Sequence, residues 1–97
     1  LPNPYWDPKL RALTGLDPEV IRYLDAQPAA KQLCEDIARF VAARIPEHQA
    51  GNRRYLTIAI GCTGGQHRSV YLVERLAARF APAHPSVLTR HSSLPAR

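Results

Sequence analysis

Residues 55–80 constrain the fold more than any other stretch of the chain. Tyr55-Leu56-Thr57-Ile58-Ala59-Ile60 is β-branched and apolar on both faces except at Thr57. Such a run predicts a strand covered on both faces, as in an α/β sheet. Gly61, Gly64 and Gly65 follow it, and then Leu72, Val73, Leu76 and Phe80 recur at helical spacing over residues 67–80. Pro82 and Pro85 interrupt the chain, residues 86–90 read as a second strand, and residues 91–97 as a tail. Strand, loop, helix and strand make a βαβ unit. The expected class is therefore α/β, with a partly parallel sheet flanked by helices. Two strands are too few for a stable sheet, and the chain opens on Leu1 rather than Met. Further strands are expected upstream.

The first half is expected to be helical. Asp17-Pro18-Glu19 is a helix start: Asp17 can cap, and proline suits the first helical position. Val20, Ile21 and Leu24 give a short helix one apolar face, ending near Gln27. A second helix is predicted over 29–45, with a stripe of Leu33, Ile37, Phe40, Val41 and Ile45, and Pro46 is expected to end it. Ahead of both lies Leu1-Pro2-Asn3-Pro4-Tyr5-Trp6-Asp7-Pro8, too rich in proline for a helix or a central strand. Tyr5 and Trp6 are expected to pack against the body, with Trp6 in the core. Thr14-Gly15-Leu16 reads as a turn.

Ninety-seven residues suit one small domain, 1–97. No apolar run approaches the ~20 residues a membrane helix needs, and no signal peptide is visible. Cys34 and Cys62 make no disulfide framework, which favours a reduced, cytoplasmic setting. Cys34 reads as a small packing residue. His67, His84 and His91 have no metal-ligand spacing with Cys62, so no metal is expected. Charge is placed unevenly. Residues 51–97 hold seven Arg against the single acid Glu74, whereas residues 1–50 are nearly balanced. That asymmetry favours an anionic partner for the second half, or an ordinary solvated basic face. Arg53 and Arg54, just before the predicted strand, face either phosphates or solvent.

The chemistry gathers on Gly61-Cys62-Thr63-Gly64-Gly65-Gln66-His67-Arg68-Ser69. A glycine-rich turn leading into a helix presents unpaired N–H groups and the positive end of the helix dipole. Thr63 and Ser69 bring hydroxyls, Gln66 and His67 further side-chain donors, and Arg68 a planar charged fork. All suit phosphate oxygens, which mainly accept. Neither standard nucleotide pattern fits: Gln66 and His67 stand where G-x-x-x-x-G-K-[ST] needs Gly and Lys, and Thr63 breaks G-x-G-x-x-G. C-x5-R-[ST] does fit, through Cys62, Arg68 and Ser69. It allows the alternative of a cysteine phosphatase, in which a thiolate attacks phosphorus and Arg holds the oxygens. That reading lacks the usual His before Cys62 and an evident acid, with Asp7, Asp17 and Asp25 as the candidates. The remaining alternative is a turn that binds nothing.

Three segments together resemble a known family. They are Leu1-Pro2-Asn3-Pro4-Tyr5-Trp6-Asp7-Pro8-Lys9-Leu10-Arg11, Leu13-Thr14-Gly15-Leu16-Asp17, and Ala59-Ile60 through Ser69-Val70-Tyr71. The chain is similar over essentially its whole length to the C-terminal domain of RapZ, the RNase adaptor (YvcJ-like nucleotide-binding proteins). The resemblance implies no enzyme activity in this domain and no cofactor of its own, ATP or GTP belonging to a separate N-terminal P-loop domain. It implies sensing of glucosamine-6-phosphate, binding of small RNA, presentation of that RNA to an RNase E-type endoribonuclease, and homo-oligomers. Thr63, Gly64, Gly65, Gln66, His67, Arg68 and Ser69 would hold the phosphate, with Asn3 and Tyr5 near the sugar. Arg90, His91 and Arg97 would contact RNA, and Arg53 and Arg54 are the further RNA-binding candidates.

Overall fold

The computed structural model describes residues 1–51 and 55–94. Its elements are a 3-10 turn at Pro4–Trp6 and three helices: α1 at Pro18–Asp25, α2 at Pro28–Ala50 and α3 at Arg68–Phe80. Asn3 starts the 3-10 turn by accepting the Tyr5 N–H on its side chain at 3.1 Å. Pro18 and Pro28 occupy first helical positions, where the missing N–H costs nothing. Asp17 precedes α1 but its carboxylate turns back to accept the Thr14 N–H at 2.8 Å. No helix among the described residues is long and apolar enough to cross a membrane.

The expected parallel sheet and βαβ unit are not there: the described residues contain no strand. Residues 55–60 and 86–90 flank α3 as irregular chain. β-propensity reflects how well a side chain packs on a pleated sheet, and a strand needs a partner for its N–H and C=O groups. No backbone hydrogen bond joins the two segments among the described residues. Their apolar side chains are correspondingly open, with Tyr55 83% and Leu88 94% exposed.

α2 also departs from expectation by running through Pro46 to Ala50. Proline there removes one N–H and leaves the carbonyl four residues back, at Ala42, without its helical partner. Ala42, Ala43 and Pro46 are all exposed, so water can satisfy that carbonyl.

The core lies where the helices meet. Leu10, Val20, Leu24, Ala30, Tyr71 and Leu72 form one buried cluster, with Leu1, Leu13, Cys34, Ile37 and Ile60 packed around it. Cys34 is thus a packing residue, and burial pushes its thiol pKa up, outweighing the nearby Arg79 charge. Around the cluster, the Tyr71 hydroxyl donates to Asp25 at 2.6 Å, Arg75 pairs with the same carboxylate, and Arg79 pairs with Glu35. These contacts tie α3 to α1 and α2. Trp6 was expected in the core but is 76% exposed, edge-to-face with Tyr5. It is Pro4 and Leu10 that anchor the N-terminal segment instead.

Candidate functional site

Gly64 and Gly65 carry the turn into α3. Their φ angles are +82° and +64°, a region that L side chains rarely adopt. His67 in the cap position of α3 makes no capping bond, and it is Cys62 Sγ that takes an N–H of the first turn. The loop wraps around Cys62. The Ser69 backbone N–H donates to Cys62 Sγ at 3.3 Å, and the thiol lies 3.2 Å from Ser69 Oγ. Burial pushes the Cys62 pKa up. Hydrogen bonds from the Ser69 side chain and the Ser69 and Gly65 amides, with the Arg68 charge, outweigh it, so the thiol falls below its ordinary value.

Two residues expected to touch phosphate have partners within the protein. Gln66 Nε2 donates to the carbonyls of Arg11 at 2.9 Å and Leu13 at 2.7 Å. His67 is only 4% exposed, and its Nε2 lies 3.0 Å from the Leu10 carbonyl. A carbonyl can only accept, so Nε2 carries the proton. The Gly15 N–H donates to the Gln66 carbonyl at 3.0 Å, completing the clamp. Gln66 and His67 therefore lock the loop onto the Leu10–Gly15 stretch. Sequence reasoning saw both partners as motifs but had no signal that they bind one another.

Arg68 Nη1 donates to the Leu1 carbonyl at 3.2 Å. That brings the N-terminal segment beside the loop, while Tyr5 itself turns aside and lies under the Arg11 guanidinium, 4.8 Å from the ring centre. Asn3 is occupied in starting the 3-10 turn. Thr63 is exposed. Gly61, Cys62, Gly64, Gly65 and Ser69 line one end of an open groove whose remaining lining is largely apolar, with Leu56, Ile58, Val73 and Leu88 among it.

Of the residues assigned to RNA, Arg53, Arg54 and Arg97 lie outside the described residues. Arg90 is exposed. His91 is engaged: its Nε2 lies 3.2 Å from Glu74 Oε2. Among the described residues, no His/Cys/Asp/Glu group is arranged to hold a metal.

Comparison with known proteins agrees with the motifs. The family model described as the RapZ C-terminal domain matches residues 1–95. A nucleotide-binding protein of Burkholderia multivorans is 56% identical over 95 residues, 98% of this chain and 31% of that protein. One from Nitrosomonas europaea is 55% identical over 97% of this chain and 32% of its own length. One from Azoarcus sp. is 58% identical over 96% of this chain and 32% of its own length. The chain thus spans about a third of the length of these relatives. With that match added to the clamp between Leu13-Thr14-Gly15 and the glycine-rich loop, the chain belongs to the RapZ C-terminal domain family.

Proposed function

We propose that this domain is a sugar-phosphate sensor, with glucosamine-6-phosphate as its ligand and the loop 61–69 as its anion site. The observation that carries the reading is the pair of positive-φ glycines delivering the chain into the N-terminus of α3, where His67 makes no capping bond. Backbone amides there other than those of Gly65 and Ser69, which Cys62 takes, can meet phosphate oxygens, and the helix dipole favours the charge. Arg68 supplies the fixed positive charge beside them. The phosphate-holding set reduces to Thr63, Gly64, Gly65, Arg68 and Ser69, with Gln66 and His67 as the residues that hold the loop in shape. The test is calorimetric titration of the protein with glucosamine-6-phosphate. Saturable binding that Arg68→Ala abolishes supports the sensor. A folded parent protein that binds none overturns it.

In the full-length protein the domain would act as the ligand- and RNA-binding part of an RNase adaptor. It would work within a homo-oligomer and present small RNA to an RNase E-type endoribonuclease. The Arg-rich second half supports the RNA part. Such binding must weaken steeply with salt, by a slope that counts the phosphates contacted. RNA affinity that is absent at low salt removes that part alone. ATP or GTP binding would belong to the remaining two-thirds of such a protein, in line with the relatives' printed name.

A cysteine phosphatase is the second reading, favoured by the lowered pKa of Cys62. Its three candidate general acids have other partners. Asp7 accepts the Lys9 N–H, Asp17 the Thr14 N–H, and Asp25 is bound to Tyr71 and Arg75. Absence of aryl phosphate hydrolysis by the parent disposes of it. Turnover lost in Cys62→Ser would establish it.

A further inference from the structure

We infer that the open apolar groove beside α3 is the seat of an extended segment of this same protein, the stretch of chain directly before Leu1. The inference stands apart from the sugar-phosphate reading and does not need it. Leu56, Ile58, Val73, Leu76, Phe80 and Leu88 line the groove, from residues 55–60, α3 and residues 86–89. Tyr55, Leu56, Thr57, Ile58 and Ala59 are all exposed, as is Leu88. A contiguous apolar surface of this kind is one that a partner covers. The occupant is polypeptide rather than lipid or a small apolar molecule, because the backbone is open too. Among the described residues, no backbone N–H or C=O of residues 55–60 or 88–90 makes a backbone hydrogen bond. Unmet backbone groups beside apolar side chains are what take up an extended chain. His48 adds another open group: its Nε2 is buried against the groove without a partner among the described residues.

The place of Leu1 identifies the occupant. Leu1 and Ile60 pack on the same core cluster. The Leu1 carbonyl accepts from Arg68 Nη1 at 3.2 Å, and the next two residues, Ser69 and Val70, line the groove. Chain arriving at Leu1 therefore starts beside the groove. Residues 1–97 span about a third of the length of the relatives, so proteins of this family have further chain to supply the segment. A segment tethered this closely has an effective concentration of millimolar order, which a free partner does not match. A second copy of residues 1–97 fits less well, since its extended apolar stretches, 55–60 and 86–90, are the groove's own flanks. The seated segment is about six residues, or about 20 Å, long, with apolar side chains on the face toward α3. Residues 55–60 run straight into Gly61, so the segment also fixes where the glycine-rich loop begins.

Photo-crosslinking in the full-length protein tests this. Leu88→p-benzoylphenylalanine and, separately, Ile58→p-benzoylphenylalanine place a probe in the groove, and mass spectrometry identifies the captured peptide. Phe40, exposed on α2 and outside the groove, takes the same probe as a control. Both groove probes should capture a peptide lying within about 20 residues before Leu1, the length of one extended segment and a connection. The Phe40 probe should not. In a mixture of isotope-labelled and unlabelled protein, the joined peptides should carry one label only. Capture of a second copy, of a peptide from elsewhere in the chain, or of nothing from either groove position overturns the inference. Hydrogen exchange on the unsubstituted full-length protein gives a second measurement that needs no variant to fold. Amides in both flanks, 55–60 and 88–90, should exchange at least about 100-fold slower than unpaired ones. Free exchange of both flanks there overturns the inference as well.

Discussion

Gly15→Ala should be the most damaging small substitution in the N-terminal half. A Cβ at Gly15 would lie 2.4 Å from the His67 carbonyl oxygen, 2.5 Å from the Tyr71 nitrogen and 2.9 Å from Val70 Cβ. The first two atoms belong to the same hydrogen bond, Tyr71 N–H to His67 O at 2.9 Å, which closes the first turn of α3. Neither is the loose end of a side chain, so the new methyl must push the Leu10–Gly15 stretch away from the helix. Overpacking costs about 1–3 kcal/mol, and backbone neighbours put this case at the upper end. The Gly15–Gln66 backbone bond is lost as well, about 1 kcal/mol. The stiffer unfolded chain returns about 0.4–1 kcal/mol. The net destabilisation is about 3 kcal/mol, or a fall of about 12–24 °C in Tm for a domain of this size. Urea unfolding followed by circular dichroism measures it. Gly61→Ala is the control, for a Cβ there meets nothing within 4 Å, and its stability should stay within about 0.5 kcal/mol of the parent. A Gly15→Ala protein within about 1 kcal/mol of the parent, or one no worse than Gly61→Ala, would refute the close-approach reasoning.

His67→Ala should cost about 2 kcal/mol by leaving the Leu10 carbonyl buried without its donor, read as a shift in urea midpoint at constant slope. Arg68→Lys keeps the charge but loses the fork, and should weaken glucosamine-6-phosphate binding about tenfold by calorimetry. Asp25 gives a pH signature. Burial raises its pKa, but the Tyr71 hydrogen bond and the Arg75 hydrogen bond and charge outweigh that, so the folded carboxyl sits below the ordinary 3.8. Its contribution to stability is whole above that ordinary value and is lost as pH falls through the folded one. Asp25→Asn should flatten this part of the acid limb of a stability–pH curve. An unchanged limb would mean that the Asp25–Tyr71–Arg75 cluster stabilises nothing.

Local chemistry made several features readable in advance. Proline at a first helical position and an apolar stripe at helical spacing are properties of neighbouring residues, which is why α1 and α3 fall where expected. The glycine-rich turn into α3 is of the same kind, because positive φ is a demand that one residue meets alone. The long motifs pointed to the family for a related reason: Leu13-Thr14-Gly15 and Gly64 through His67 are the two halves of one clamp. What tertiary structure decided depends on partners distant in the chain. Residues 55–60 have strand composition, but a strand exists only when another segment pairs with it. Pro46 frees the Ala42 carbonyl and crowds the preceding turn, and whether water can reach that carbonyl is settled by packing, which leaves Ala42 exposed. Gln66 and His67 are donors by residue type, yet whether a donor meets a ligand or a backbone carbonyl depends on what is folded beside it. Leu10, Arg11 and Leu13 stand there. The turn at residues 91–94 is seated for the same reason, since Glu74 and Gly65 come within reach of His91 and Ser93 only after α3 is in place.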